Sequence, residues 1–271
     1  MTYPVLLLLL AAIFTLAMSL AWAVAQATRQ SGWIDSIWSF TLGGAGLFAA
    51  LAPIWPDGGT TPRQWLVAGL VALWALRLGG HIAGRTRGGG DDPRYAHLRA
   101  LWGDKAASEL FLFLQIQALS GFLLALAVLA AARNPVPGIN AMDLAGAVLL
   151  VSCILGEAVS DAQLARFRRD PANRGKVCDV GLWGLSRHPN YFFQWLGWFG
   201  YVVIGLQGLN AYPWGLVTLV GPAFMYALLV HLSGIPPLEA HMMRSRGDAF
   251  RAYQQRVSAF LPWRPQPKKA L

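Results

Sequence analysis

Seven apolar blocks, each close to the length that crosses a lipid bilayer, constrain the fold of this chain most strongly. An α-helix of about 20 apolar residues spans the hydrocarbon core of a bilayer. The chain is 55% hydrophobic and only 13% charged, whereas a soluble domain carries roughly a quarter charged residues. We therefore predict an all-α, polytopic membrane protein with seven transmembrane helices, which lie at Tyr3–Ala25, Trp33–Trp55, Gln64–Gly84, Leu110–Ala132, Ala141–Ser160, Tyr191–Gln207 and Tyr212–Leu232.

The distribution of basic residues predicts the orientation of these helices. Most of the 22 Lys and Arg residues follow the first, third and fifth blocks or lie in the C-terminal tail. Among the loop residues on the opposite side, only Arg63 and Arg133 are basic. The positive-inside rule then places the N-terminus outside and the C-terminus in the cytoplasm. Because no basic segment precedes the first apolar run, we expect a retained helix rather than a cleaved signal peptide.

Charge and cysteine usage argue against several functional classes. The net charge of +9 comes from basic loops on one side of the membrane. Anionic membrane lipids can attract such loops, so no nucleic acid partner is needed to explain the charge. Cys153 and Cys178 are not expected to pair, and no metal-ligand spacing is present. The sequence also lacks the internal repeat that inverted-repeat transporters carry.

Polar residues inside the apolar blocks mark a candidate site, because charge at membrane depth is costly. Asp35 lies at the start of the second block. Trp74, Arg77 and His81 recur at spacings of three and four, which places them on one helix face. Two interpretations of Arg77 stay open. It belongs to a ligand site, or it pairs with Asp35 or Glu157 and joins helices.

The fifth block carries a second polar face. Glu157, Ser160, Asp161 and Arg168 share helical spacing if this helix continues into the cytoplasm. Such a face suits a long ligand with hydroxyl or amide groups at one end and phosphates at the other, because carboxylates accept hydrogen bonds and Arg binds phosphate bidentately. In the alternative interpretation, the arginines only enforce topology.

The segment SRHPNYFFQ stands at the start of the sixth block. Pro189 suits the first position of a helix, where its missing N–H does no harm. His188 would then lie near the helix cap, where free N–H groups, the helix dipole and Arg187 attract an anion. Asn190 and Gln194 are four residues apart and face one side. We interpret this helix start as a binding wall for a polar, phosphorylated ligand.

The C-terminal tail has an apolar stripe of its own. Phe250, Tyr253, Val257 and Phe260 recur at helical spacing, which predicts a tail helix over 239–260. Two interpretations stay open: an amphipathic helix that lies on acidic lipid, or a lid over a cytoplasmic pocket.

Several of these features together resemble the steroid 5-alpha-reductase superfamily, and most of all its bacterial branch. The features are SD at 160–161, Arg168, LWGLSRHPNYFFQ and the tail ending FLPW. The resemblance implies a seven-helix reductase that transfers hydride from NADPH to a carbon–carbon double bond conjugated to a carbonyl, in a lipid such as a 3-oxo-4-ene steroid. It also implies that the cofactor is held by Asp161, Arg168, Lys176 and Asn190.

The same resemblance assigns further positions. Glu157 stands where the family has a cofactor-contacting asparagine, and Gln194 stands where the steroid enzymes have a glutamate. Trp74 stands where those enzymes have a substrate-facing tyrosine, which polarises the ketone together with a Gln-Glu pair of helix 2. Because this chain differs at those positions, the acid or oxyanion-stabilising group is expected among Asp35, Arg77 and His81.

The expected arrangement is a single domain over 1–271, with 1–135 on the substrate side and 136–271 on the cofactor side. An apolar lipid or steroid-like substrate would enter laterally from the bacterial cytoplasmic membrane, and NADPH would enter from the cytoplasm. The glycine-rich segment RTRGGGDDPRY would let its backbone approach the ligand closely. The remaining cofactor contacts are expected from Arg85, Arg187, His188 and Tyr191.

Two alternatives to the reductase stay open. RHPNY is also similar to a motif of isoprenylcysteine carboxyl methyltransferase and its relatives, which bind S-adenosylmethionine and carry an acidic tail residue, here Glu239. The stripe that ends at Arg168 favours the reductase, since S-adenosylmethionine has no phosphate. The third possibility is a non-enzymatic lipid-binding or transport protein.

Overall fold

A computed structural model describes residues 1–54, 59–89 and 91–266 of the chain. Within these ranges the fold is all-helical and contains no β-strand. The α-helices are α1 (Tyr3–Thr28), α2 (Gly32–Leu51), α3 (Pro62–Arg87), α4 (Pro93–Trp102), α5 (Ala106–Ala132), α6 (Ala141–Arg169), α7 (Pro189–Gly205), α8 (Val220–Tyr226), α9 (Ile235–Arg246) and α10 (Asp248–Arg256).

Long apolar helices dominate the described part of the chain. Six helical segments there are long and apolar enough to cross a membrane, judged by length and composition. This finding confirms the prediction of an all-α, multi-pass membrane protein. The sixth predicted block corresponds to α7, which has 17 residues. The predicted end of the second block at Trp55 lies outside the described residues, and α2 ends at Leu51.

The chain folds into two compact units. Unit 1 comprises Met1–Val148 and Phe199–Gly221, and unit 2 comprises Leu149–Trp198 and Pro222–Leu271. The expected functional division into 1–135 and 136–271 stays a prediction.

Small residues let the helices of unit 1 pack closely. A Cβ added to Gly43 in α2 would collide with Ala75 in α3, and one added to Gly46 would lie 2.9 Å from Val71. Helices without a hydrophobic driving force between them associate through such close van der Waals contact. The tight α2–α3 pair holds Asp35 and Trp74 in the same unit.

A buried ion pair stabilises unit 1. Arg63 and Asp143 are only 2% and 0% exposed, and the Arg63 Nε donates to the Asp143 carboxylate at 2.7 Å. The same guanidinium donates to the carbonyls of Asn134, at 2.8 Å, and Gly138, at 2.9 Å. These bonds satisfy the arginine that the sequence analysis treated only as a topology marker.

In unit 2, close contact between α6 and α7 positions the candidate site. A Cβ added to Gly156 in α6 would lie 2.6 Å from the ring of Phe193 in α7. The predicted continuation of the fifth block is confirmed, because α6 runs without a break to Arg169. The polar stripe therefore lies on one helix.

The prediction of a single tail helix over 239–260 is wrong in its extent. Gly247 adopts a left-handed backbone with φ +50° and separates α9 from α10, which ends at Arg256. The predicted apolar stripe is nevertheless buried against the protein. Its residues Phe250, Tyr253 and Val257 form a cluster with Val177, Met242 and Met243.

Candidate functional site

The polar stripe of α6 meets the start of α7 at Asp161. The side-chain amide of Asn190 donates a hydrogen bond to the Asp161 carboxylate at 3.1 Å. One helical turn away on the same stripe, Glu157 is only 4% exposed. The structure therefore brings together two of the predicted cofactor residues, Asp161 and Asn190, and buries a second carboxylate, that of Glu157, on the same helix.

The start of α7 has the predicted form. Pro189 is the first helical residue, and the His188 N–H bonds to the Ser186 hydroxyl at 3.1 Å. Gln194 is 7% exposed and follows Asn190 by one turn, which gives this face of α7 a second amide. Two amides that can each donate and accept hydrogen bonds suit a ligand with hydroxyl or carboxamide groups.

His188 is enclosed between the tail and its own helix. Its Nε2 lies 3.1 Å from the Glu239 carboxylate, and its ring stacks on Tyr191 with centroids 5.5 Å apart. Its Nδ1 is buried and has no hydrogen-bond partner among the described residues. Burial lowers the pKa of the imidazole, although Glu239 opposes this shift. The ring is therefore neutral at pH 7.

The Arg187 side chain is hydrogen-bonded to the C-terminal tail. Its guanidinium donates to both Glu239 oxygens, at 2.7 and 3.2 Å, and to the carbonyls of Gln254, at 3.2 Å, and Val257, at 2.7 Å. Gln254 also donates to Glu239 at 2.7 Å. The phosphate contact expected from Arg187 would have to coexist with these four bonds, which join the tail to the start of α7.

The other expected phosphate contacts are exposed. Arg168 ends the stripe of α6, and Lys176 lies in the loop that follows it. Arg85 belongs to unit 1, where it approaches Asp92 at 3.6 Å with 53% of its side chain exposed. The glycine run beside Arg85 is described only in part, because Gly90 lies outside the described residues.

In unit 1, Asp35 belongs to a polar cluster that includes Tyr95, the last residue of RTRGGGDDPRY, to which the sequence alone assigned no role of its own. The Tyr95 hydroxyl donates to Asp35 at 2.8 Å and accepts from the Gln117 amide at 3.0 Å. The other Asp35 oxygen forms an ion pair with Arg94. Tyr95 is 3% exposed. The signal in the sequence is that Tyr95 directly follows Arg94. The short helix α4 that carries both residues lies outside the apolar blocks, so the search for polar residues inside those blocks did not include it.

The three residues of α3 that the sequence predicts for the site differ in exposure. Trp74 is buried at 6% exposure, Arg77 is half-buried and His81 is exposed. Since α3 is continuous from Pro62 to Arg87, they share a helix face as predicted. The pairing of Asp35 with Arg94 means that Arg77 is not needed to neutralise that carboxylate.

The cysteines take no part in these clusters. Cys153 and Cys178 are both buried and form no disulfide. Burial raises the pKa of the Cys178 thiol, which makes it less reactive. In the described ranges there is also no group of three or more His, Cys, Asp or Glu side chains that could hold a metal ion.

Comparison with known proteins gives one match. No curated protein and no solved structure matches the chain. The sequence profile of a family described as "Protein of unknown function (DUF1295)" matches residues 21–257, which cover the polar clusters of both units. This family is associated with steroid 5-alpha-reductase-like membrane proteins. The chain therefore belongs to the DUF1295 family.

Proposed function

We propose that this chain is a membrane-embedded, NADPH-dependent reductase that transfers hydride to an activated carbon–carbon double bond of a lipid or steroid-like enone. The observation that carries the proposal is the Tyr95 cluster. A phenol held between a carboxylate and an amide is a proton donor of the kind that polarises a carbonyl oxygen. The sequence had left this role without a hydroxyl, since Trp74 stands at the expected tyrosine.

Roles in unit 1 follow from the direction of each hydrogen bond. Asp35 accepts from Tyr95 and pairs with Arg94, so both of its oxygens act as acceptors. In the structure the single phenol hydrogen points to Asp35. In the proposed role, Asp35 holds the phenol in place until substrate binds, the O–H then turns to the substrate carbonyl oxygen, and Tyr95 replaces Asp35 as our candidate for the acid. Gln117 donates to the same phenol oxygen and stabilises the phenolate that remains after proton donation.

Unit 2 supplies the groups that would hold the nucleotide. Asp161 and Glu157 can accept hydrogen bonds from ribose hydroxyls and from a carboxamide N–H. The Asn190 amide can both donate and accept hydrogen bonds. Arg168 and Lys176 are exposed, and their positive charge suits phosphates. The orphaned Nδ1 of His188 fits a bound group that carries a donor. When bound, NADPH supplies the hydride.

Membrane topology belongs to the same proposal. Seven transmembrane helices, with the N-terminus outside and the C-terminus inside, would place the basic segments around Arg85, Arg168 and Lys176 in the cytoplasm, where NADPH is available. The apolar substrate would then reach the protein from the bacterial cytoplasmic membrane.

The deciding experiment is a thermal-shift titration of the detergent-purified protein with NADPH, NADH and S-adenosylmethionine in parallel. Saturable stabilisation by a nicotinamide nucleotide supports the reductase, because a ligand that binds the folded state raises its stability. Oxidation of NADPH with conjugated lipid enones then tests turnover. Stabilisation by S-adenosylmethionine alone would instead indicate a methyltransferase, and stabilisation by none of them a lipid-binding or transport protein.

A further inference from the structure

His188, the residue directly before α7, is buried and still has a polar ring atom without a hydrogen-bond partner among the described residues. The residue is 3% exposed, and its Nδ1 has no partner among the described residues. A buried polar atom without a partner is costly, and native proteins rarely keep one without a reason. A bound ligand that donates a hydrogen bond to Nδ1 would remove this cost.

The surroundings of the ring determine what Nδ1 can offer. Glu239 accepts hydrogen bonds from Arg187 at 2.7 Å and from Gln254 at 2.7 Å, in addition to its contact with His188 Nε2 at 3.1 Å. An ionised carboxylate can only accept, so Nε2 must carry the hydrogen. In the neutral ring, Nδ1 then presents a bare lone pair.

We infer that His188 Nδ1 accepts a hydrogen bond from an N–H or O–H donor of the bound nucleotide, and that Glu239 is a positioning residue that holds His188 in the required tautomer. This inference rests on the proposed function for the identity of the ligand. The donor belongs to either the nicotinamide–ribose half or the adenosine half of NADPH.

Position along the chain supports the assignment. His188 lies two residues before Asn190, which bonds Asp161 on α6. The ring also stacks on Tyr191, which is half-buried and follows it in the first turn of α7. Binding at Nδ1 would therefore place the nucleotide beside the acceptors that the proposed function already uses.

Matched variants separate the two ring nitrogens. His188→Gln puts an amide near the position of Nε2, so the bond to Glu239 can persist while Nδ1 is lost. We expect about a tenfold loss of NADPH affinity, the effect of about one hydrogen bond, with little change in Tm. His97→Gln, at an exposed position in unit 1, is the control and should bind like wild type.

Two fragments locate the donor. The wild type and His188→Gln are titrated with reduced nicotinamide mononucleotide and with 2′-phospho-ADP-ribose. If one fragment binds His188→Gln more weakly than it binds wild type, that fragment contains the donor to Nδ1. Equal affinities of wild type and variant for NADPH and for both fragments would overturn the inference.

A spectroscopic measurement tests the tautomer directly. In protein labelled with ¹⁵N-histidine, the five histidines are distinguished by loss of the His188 signals in the variant. In the protein without ligand, we expect the ¹⁵N chemical shift of His188 Nδ1 to be that of an unprotonated nitrogen, and we expect it to change when NADPH saturates the protein. In Glu239→Gln, we expect a mixture of the two ring tautomers. An unchanged Nδ1 signal at saturation contradicts the inference.

The outcomes also separate this inference from the proposed function. If wild type binds S-adenosylmethionine but not NADPH, and Nδ1 shifts on binding, the reductase fails while His188 remains a ligand acceptor. If NADPH binds without affecting Nδ1, the reductase survives and the inference fails. If neither compound binds, both are overturned.

Discussion

The Asn190 side chain donates a hydrogen bond to Asp161 at 3.1 Å, across 29 residues of sequence. This bond joins the first turn of α7 to the polar stripe of α6. It orients an amide and a carboxylate that the sequence had placed on two separate helices. The pair is therefore a natural first target for mutation.

Asp161→Asn should weaken NADPH binding about tenfold, because a neutral amide is a poorer acceptor for ribose or carboxamide donors than a carboxylate. A thermal-shift titration measures the change. The fold should persist, since two amides can still share one hydrogen bond. Asp104→Asn at an exposed position is the matched control, and equal affinity of both variants would remove Asp161 from the cofactor site.

Tyr95→Phe should reduce enone-dependent NADPH oxidation about a hundredfold or more, which is the usual contribution of a general acid. NADPH binding should be unchanged, because the proposed role of Tyr95 is to polarise the substrate carbonyl and not to hold the nucleotide. Tyr253→Phe is the control, since the Tyr253 hydroxyl donates to backbone carbonyls of unit 2. If Tyr95→Phe retains full turnover, the phenol is not the proton donor.

Arg187→Leu should release the tail. It removes four hydrogen bonds and leaves Glu239 without its main partner, which should cost about 3 kcal/mol of stability for a partly buried pair. Limited proteolysis should then cleave the tail faster. Arg251→Leu removes an exposed ion pair with Asp248 and should cost well under about 1 kcal/mol. Equal protease resistance of the two variants would argue against a role of Arg187 in holding the tail against the start of α7.

Asp143→Ala should destabilise unit 1 by about 3–5 kcal/mol, because it leaves the Arg63 charge buried and unpaired. Thermal unfolding measures the loss. The double variant Arg63→Met/Asp143→Leu should recover much of that stability, since an apolar pair needs no compensating charge. NADPH affinity of the folded double variant should match wild type, and a double variant as unstable as Asp143→Ala would contradict this account.

His188 should make folding stability depend on pH. Burial lowers its pKa from 6.5, Arg187 acts in the same direction, and Glu239 opposes both. Below pH 6.5 the unfolded chain therefore binds more protons at this residue than the folded chain does. The stability that His188 contributes is present above pH 6.5 and is lost as pH falls toward the lower folded value. Chemical unfolding of wild type and His188→Gln across this range should show a steeper decline for wild type.

Part of the candidate site could be predicted because its signals are local. Pro189 predicted the first residue of α7, and the spacing of Glu157, Asp161 and Arg168 predicted one continuous face, which α6 confirms. The prediction of one continuous tail helix was wrong at Gly247, whose positive φ ends α9 before α10 begins. The spacing of apolar residues does not reveal such a break, because it depends on the backbone conformation of a single glycine.

By itself, the sequence determined that this is an all-helical, multi-pass membrane protein, because the length of an apolar run is a local property that matches the thickness of the bilayer. Only the tertiary structure decided which polar groups meet. Tyr95 bonds Asp35 across 60 residues, and His188 contacts Glu239 across 51. Such partners depend on how helices pack, which residue spacing within one helix does not encode. The same packing bonded Arg187 to the tail and buried Nδ1 of His188 without a hydrogen-bond partner among the described residues.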